Sequence, residues 1–221
     1  MAGSIAENQL EWWTLVDGLR AGDHVLFWRD ASRTSLAVLE DFLRGARARN
    51  DLAAVFLSEA DWHRLAERLR EDRVSVDRLQ AQGHLILISP TTLLTDADRS
   101  AEQVAEVLEE LAASARKKGY SGLSLVGSIA GPAFVRGEQA VAEAIEAAVH
   151  ARRGQARTLC LYDSLDLYPL RVRDAYELIR FHTHTLTALG PGQLHAEPVE
   201  GGRKPAVKGV AASRSTATAD A

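Results

Sequence analysis

Short apolar runs alternate with longer amphipathic stretches along most of this sequence. Five runs have the length of one strand and are apolar almost throughout: His24–Trp28, Leu52–Leu57, Leu85–Ile88, Leu123–Val126 and Thr158–Tyr162. Between and after them, apolar residues recur at the three- and four-residue spacing of a helix. Strands that are apolar on both sides suit a parallel sheet with helices on both faces. The sequence therefore predicts an α/β fold with a mainly parallel sheet.

The alternation also predicts where the domain begins and ends. Residues 1–21 are predicted to be an N-terminal extension with one short helix, Leu10–Leu19. Residues 22–189 contain the strands and helices and form the predicted domain. From residue 190 the composition changes to Gly, Pro, Ala, Ser, Thr and Lys without periodicity. Such a segment buries too little apolar surface to offset its ordering entropy, so 190–221 is predicted to be a disordered tail.

Composition and charge narrow the class of protein. The 221 residues carry a formal net charge of -4, which argues against direct binding of nucleic acid. Cys160 is the only cysteine, so an intrachain disulfide is impossible and a cysteine-rich metal site is excluded. No apolar run has the length needed to span a bilayer, and the N-terminus does not resemble a secretion signal. We therefore expect a cytoplasmic protein without membrane contact.

Four stretches of the sequence resemble one known family. They are Gly22-Asp23-His24, Phe56–Asp61, Gly119–Gly127 and Leu159–Asp163. Their order and spacing resemble the MEDS domain (methanogen/methylotroph, DcmR sensory domain) from about Gly22 to Thr185. The resemblance implies a sensor of small, hydrocarbon-like ligands, a family that occurs alone or beside helix-turn-helix, kinase or anti-sigma modules. Because no output module is obvious in the sequence, the resemblance implies a stand-alone sensory domain. It would signal through a regulatory partner (a kinase, an anti-sigma factor or a transcription factor) or as a homodimer.

The same resemblance implies a divergent RecA/KaiC-like fold, whose phosphate loop would connect the first strand to the first helix of the domain. Here that connection, Phe27–Thr34, contains no glycine to free backbone donors for a phosphate, and Asp30 would repel one. An aspartate that could hold a metal is absent near Gly127, which leaves Glu59 without a partner for hydrolysis. The phosphate loop is therefore predicted to be degenerate, and we expect that the protein is not an enzyme. A degenerate nucleotide-binding protein or an enzyme on the same sheet remains the alternative.

Candidate ligand-binding residues follow from the position of the strands. Parallel sheets bind ligands outside the carboxyl ends of their strands. The residues at those ends are Trp28, Arg29, Asp30, Glu59, Ser128, Tyr162 and Asp163. All of them except Ser128 are expected to surround a single crevice. Their aromatic surface and few polar groups suit a small, mostly apolar ligand held by one or two hydrogen bonds.

The positions of the histidines and of Cys160 in the sequence do not predict a metal site or a catalytic nucleophile. His182 and His184 are two residues apart, which is poor spacing for chelation, and neighbouring residues do not supply the other ligands. In the MEDS family a histidine follows the last helix, and the resemblance implies that His184 lines the ligand pocket. Cys160 has apolar neighbours in a strand, and the expected role is that of a small buried hydrophobe. We therefore expect no metal, no cofactor and no catalytic residue.

Overall fold

A computed structural model describes residues 12–94, 99–163, 172–190 and 193–199. Its helices are α1 (Trp12–Gly18), α2 (Arg33–Ala48), α3 (Glu59–Glu71), α4 (Val76–Ala81), α5 (Pro90–Leu93), α6 (Ser100–Lys117), α7 (Gly131–Val135), α8 (Gln139–Ala151) and α9 (Val172–Ile179). Its strands are β1 (His24–Arg29), β2 (Asp51–Phe56), β3 (Leu85–Ile88), β4 (Gly122–Gly127), β5 (Ala156–Asp163), β6 (His184–Gly190) and β7 (Gln193–Pro198). None of these helices is long and apolar enough to cross a membrane.

The seven strands form one sheet in the order β3-β2-β4-β5-β1-β6-β7. All neighbouring pairs are parallel except β6 with β7. Helices α1 to α4 pack on one side of the sheet, which we call the first face. Helices α5 to α9 pack on the other side, the second face. The prediction of a mainly parallel sheet covered on both faces is confirmed.

Side-chain alternation divides the strands between these two faces. In β1, Val25 and Phe27 are buried in the core of the first face, whereas Leu26 and Trp28 are buried in the core of the second face. The connection to α2 then runs over the first face. This helix begins where the Ser32 hydroxyl accepts a hydrogen bond from the backbone N–H of Ser35, as an N-cap does. The strand is therefore apolar throughout because both of its sides are covered.

The C-terminal strand corrects the prediction that the chain is disordered from residue 190. Residues 193–198 form β7, which pairs with β6. Leu194 and Ala196 lie in the core of the first face. With only two apolar residues at a spacing of two, this stretch is too short and too polar to stand out from the sequence around it. The part of the predicted tail from residue 200 onward lies outside the described residues.

The carboxyl end of β4 is unusually close to its neighbour β2. Gly127 has φ +146, a conformation that side-chain-bearing residues rarely adopt. A Cβ atom on Gly127 would overlap the backbone carbonyl of Phe56. The next residue, Ser128, donates its backbone N–H to that carbonyl at 2.8 Å. Residue 127 therefore has to be glycine for β4 to end in this position.

Candidate functional site

A cleft of about 540 Å³ lies at the carboxyl ends of β1 and β5 on the first face. These neighbouring strands lead the chain in opposite directions, because α2 follows β1 on the first face and α9 follows β5 on the second. Open parallel sheets bind ligands at such a switch point. The cleft is walled by the end of β1 and by the first turns of α2 and α3, and Asp163 closes it on the β5 side.

Arg29 crosses the cleft and is held by two carboxylates. Its guanidinium lies 3.0 Å from Asp61 and 3.0 Å from Asp163, and its side chain is 12% exposed. Burial opposes the charge, but the two carboxylates raise the pKa of Arg29 above its ordinary value. Asp61 also pairs with Arg64 at 2.5 Å. The fork of Arg29 is therefore already occupied and is poorly placed to bind an anionic ligand.

Asp30 satisfies the start of α2 from within the chain. Its Oδ1 atom accepts hydrogen bonds from the Ser32 backbone N–H at 3.1 Å, from the Ser32 hydroxyl, and from the Ser35 hydroxyl at 2.7 Å. Burial alone would raise the pKa of Asp30, but these hydrogen bonds lower it. In a phosphate loop the corresponding donors face a phosphate. Here the Asp30 carboxylate accepts one backbone N–H and two hydroxyls of this loop.

The structure brings three of the predicted ligand-binding residues together at this cleft: Arg29, Asp30 and Asp163. Glu59 lies at the start of α3 with an exposed side chain and does not line the cleft. Ser128, half-buried after β4, does not line it either. The expectation of one crevice is therefore correct for only part of the set.

Trp28 and Tyr162 lie on the opposite face of the sheet. They are register partners in β1 and β5, are buried in the core of the second face, and have ring centroids 5.3 Å apart. Because successive residues of a strand point to opposite faces, Trp28 and Arg29 could not line one crevice. The same holds for Tyr162 and Asp163. The expectation of a single crevice is wrong for these two aromatic residues, which are core residues.

A second constellation lies on the second face and was not predicted. It comprises four side chains, each at most 3% exposed: His24, Glu146, Cys160 and His182. One potential ligand atom from each lies within 4.8 Å of the others. We call this set the buried cluster. Its members come from β1, α8, β5 and the turn before β6.

The distances within the buried cluster converge on Glu146 Oε2. This atom lies 3.4 Å from His24 Nε2 and 3.4 Å from His182 Nε2. Cys160 Sγ lies 3.7 Å from Glu146 Oε2 and 3.1 Å from His24 Nε2. Although His182 Nε2 is near the carboxylate, it makes no hydrogen bond within the described part of the chain.

Hydrogen bonds to surrounding residues, which we call the outer contacts, fix the orientation of the side chains in the buried cluster. His24 Nδ1 lies 3.0 Å from the carbonyl of Phe181, and His182 Nδ1 lies 2.9 Å from the carbonyl of Leu178. A carbonyl can only accept, so each Nδ1 carries the proton and each Nε2 faces inward. The Tyr162 hydroxyl donates to Glu146 Oε1 at 2.5 Å. Tyr162, predicted to touch a ligand, therefore positions a carboxylate instead.

Burial and neighbouring charges set the ionisation of the buried cluster. Burial lowers the pKa of His182 to about 3, so its imidazole is neutral at pH 7. Burial alone would raise the pKa of Glu146, but the neighbouring imidazoles of His182 and His24 and the hydrogen bond from the Tyr162 hydroxyl lower it to about 2. Burial and the Glu146 charge raise the pKa of Cys160 well above its ordinary value. Cys160 is thus a thiol rather than an activated nucleophile.

Local spacing could not reveal the buried cluster, because its residues lie far apart in the sequence. The argument against a metal site considered only the neighbours of His182, whereas the structure supplies partners from three other elements. One signal was available in α8. Glu146 lies on the same helical face as Ala142, Ile145 and Val149, all of which are buried. A carboxylate in an apolar stripe indicates a buried partner.

The strand order and the helices on both faces define a RecA-like α/β fold. The structure is similar to that of a KaiC-like protein from the hyperthermophilic archaeon Pyrococcus horikoshii, with a TM-score of 0.53 and 10% sequence identity. The match covers 80% of this chain and 78% of the archaeal one, and at this identity it supports the fold alone. A search of curated proteins gave no significant match.

The family is established by sequence. The profile of the MEDS family, the methanogen/methylotroph, DcmR sensory domain, matches residues 23–183. This chain belongs to that family, as the four sequence stretches predicted. Membership indicates a sensory or regulatory role.

Proposed function

We propose that this chain is a sensory domain that binds a small, mostly apolar ligand in the cleft at β1 and β5. One observation carries the proposal: the Asp30 carboxylate and the Ser32 N-cap already accept hydrogen bonds at the start of α2, which disfavours a phosphate there. The ligand would bind at the switch point of the sheet, and it would not compete there with a nucleotide.

The lining of the cleft supports a ligand with an apolar body and one hydrogen-bonding group. Leu36 and Ala60 present apolar surface from α2 and α3, and the Ser32 and Ser58 hydroxyls lie beside them. The charged lining residues are three aspartates and two arginines: Asp30, Asp61, Asp163, Arg29 and Arg64. This excess of negative charge disfavours an anion. A small hydrocarbon derivative, as the family implies, fits these walls.

We propose that the bound state is passed to a regulatory protein such as a kinase, an anti-sigma factor or a transcription factor. The formal net charge of -4 supports a protein partner over direct contact with nucleic acid. A homodimer could serve the same purpose. Size-exclusion chromatography with light scattering, run with and without the ligand, tests this. It distinguishes a ligand-dependent dimer from a monomer that signals through another protein.

The ligand itself is tested by native mass spectrometry of the protein purified from its own cells. We expect a fraction of the chain to carry one small, non-phosphorylated molecule. Ala60→Phe places a ring in the cleft and should abolish this species. A control variant, Glu67→Phe, changes an exposed residue of the same helix that does not line the cleft, and should retain it. A ligand-free wild-type protein, or equal occupancy in both variants, would contradict the assignment.

Nucleotide binding is the alternative function, and it predicts a different result. Because the Asp30 carboxylate lies beside the start of α2 and would repel a phosphate, titration calorimetry with Mg-ATP should give no heat of binding. A RecA-type ATP-binding protein measured under the same conditions provides the positive control. A dissociation constant in the micromolar range would favour a degenerate nucleotide-binding protein instead.

A further inference from the structure

We propose that the buried cluster is a closed binding site for one zinc ion, with His24, Glu146, Cys160 and His182 as its four ligands. This site is separate from the cleft, because it lies on the opposite face of the sheet. The proposal goes beyond the sensory function and does not depend on it.

The spacing of the ligand atoms fits a tetrahedral ion. Zinc binds imidazole nitrogen and carboxylate oxygen at about 2.0–2.2 Å and thiolate sulfur at about 2.3 Å, which places ligand atoms roughly 3.3–3.6 Å apart. Glu146 Oε2 lies 3.4 Å from each of the two imidazole nitrogens. Cys160 Sγ lies 3.1 Å from His24 Nε2 and 3.7 Å from Glu146 Oε2. Small adjustments of the side chains would complete the tetrahedron.

The protons available do not satisfy the acceptors that converge here. Both imidazoles donate through Nδ1 to backbone carbonyls, so the two Nε2 atoms and Glu146 Oε2 all present lone pairs to one another. The Cys160 thiol is the single donor among them. His182 Nε2 has no hydrogen-bond partner in the described part of the chain, although its residue is only 3% exposed. A cation between these atoms would satisfy all of them at once.

The charge of the ligand set matches a divalent ion. Two neutral imidazoles, one carboxylate and one thiolate carry a total charge of −2, so a bound Zn²⁺ leaves the buried site without net charge. Binding would transfer the Cys160 thiol proton to solvent, together with any proton held by an imidazole. The thiolate and imidazoles disfavour Mg²⁺ and Ca²⁺, which prefer oxygen ligands. With four protein ligands the site is closed, as in structural zinc sites.

The outer contacts have the arrangement that ligands of a metal need. The carbonyls of Phe181 and Leu178 fix the two imidazoles, and the Tyr162 hydroxyl fixes the free oxygen of Glu146. Such contacts select the tautomer and orient each ligand toward the ion. The ion would then connect β1 and β5 to α8 and to the turn before β6.

Cobalt provides a spectroscopic test. Because the four ligand residues are buried, the full chain is unfolded in denaturant with a chelator present, freed of metal, and refolded with one equivalent of Co²⁺. In the absorption spectrum we expect visible bands with the intensity of tetrahedral Co²⁺ and a thiolate-to-cobalt charge-transfer band. Native mass spectrometry should show one Co²⁺ per chain. Since Cys160 is the only cysteine, that band can arise only from this site. One equivalent of Zn²⁺ should displace Co²⁺ and remove this band. The zinc-bound protein should melt at a higher temperature than the metal-free protein.

Variants test the individual ligands. Cys160→Ser should lose the charge-transfer band, and His182→Gln should weaken Co²⁺ binding at least tenfold. His63→Gln, at an exposed histidine of α3, should leave the spectrum unchanged. If the refolded wild-type protein shows no charge-transfer band and a metal-free mass, the buried cluster is a hydrogen-bonded network that shares a proton, and the proposal is wrong. This wild-type result decides the question even if the variants do not fold.

Discussion

Replacing Gly127 by alanine should prevent the chain from reaching its native structure or destabilise it by more than about 4 kcal/mol. A methyl group at this position would overlap the Phe56 carbonyl, and residue 127 has φ +146. Gly127 and Phe56 form the last pair of the β2–β4 ladder, so relief of this overlap would break that pair and the hydrogen bond from Ser128 to the Phe56 carbonyl. Costs of this size are exceptional and arise where the backbone itself is obstructed. Urea unfolding followed by circular dichroism measures the loss.

A matched glycine provides the control for this substitution. Gly154 has an ordinary φ, and a Cβ atom there would meet no atom within 4 Å. Gly154→Ala should therefore change the free energy of unfolding by less than about 1 kcal/mol. A Gly127→Ala protein that melts within a few degrees of wild type would mean that β4 can end in a different conformation.

Removal of residues 191–221 should lower the melting temperature by about 10 °C. This truncation deletes β7, exposes the edge of β6 and uncovers core packed beneath Leu194 and Ala196. One buried leucine side chain contributes about 1.5–3 kcal/mol, before the lost ladder is counted. For a chain of this size 1 kcal/mol corresponds to about 2–4 °C. Differential scanning fluorimetry of the truncated and full chains gives the shift.

The control ends the chain after Val199, which donates its backbone N–H to the Thr183 carbonyl at 3.0 Å. This shorter deletion keeps β7 and should melt within a few degrees of the full chain, because the sequence after it lacks apolar periodicity. If the deletion of 191–221 also leaves the melting temperature unchanged, β7 contributes nothing to stability. The whole segment from residue 191 would then be dispensable for folding.

The main strands and helices were predictable because each carries its own local signal. The run His24–Trp28 is apolar on both sides because both faces of β1 are covered. Short helices such as α4 and α7 lacked that signal, because they have only six and five residues. The strands β6 and β7 were also missed, since their stability comes from pairing with each other and with β1 rather than from their own composition.

The candidate sites were harder to predict than the fold. The rule that ligands bind at strand ends correctly grouped Arg29, Asp30 and Asp163, but it ignored which way each side chain points. Strand alternation by itself places Trp28 and Arg29 on opposite faces of the sheet. The buried cluster depends on which strands become neighbours and on how α8 rotates above them. Those are properties of the assembled sheet, and spacing in the sequence does not contain them.

The hydrogen bonds that Asp30 accepts beside the start of α2 have a consequence for the proposed sensory function. In a phosphate-binding loop the backbone donors stay unsatisfied until the phosphate binds, and the phosphate-free state is less ordered than the bound state. Here the chain's own carboxylate accepts the Ser32 backbone N–H and the Ser35 hydroxyl, so these donors do not depend on a ligand. The sensory domain that we propose would then switch between two ordered conformations instead of folding around its ligand. Its dynamic range would be set by the difference in ligand affinity between those conformations.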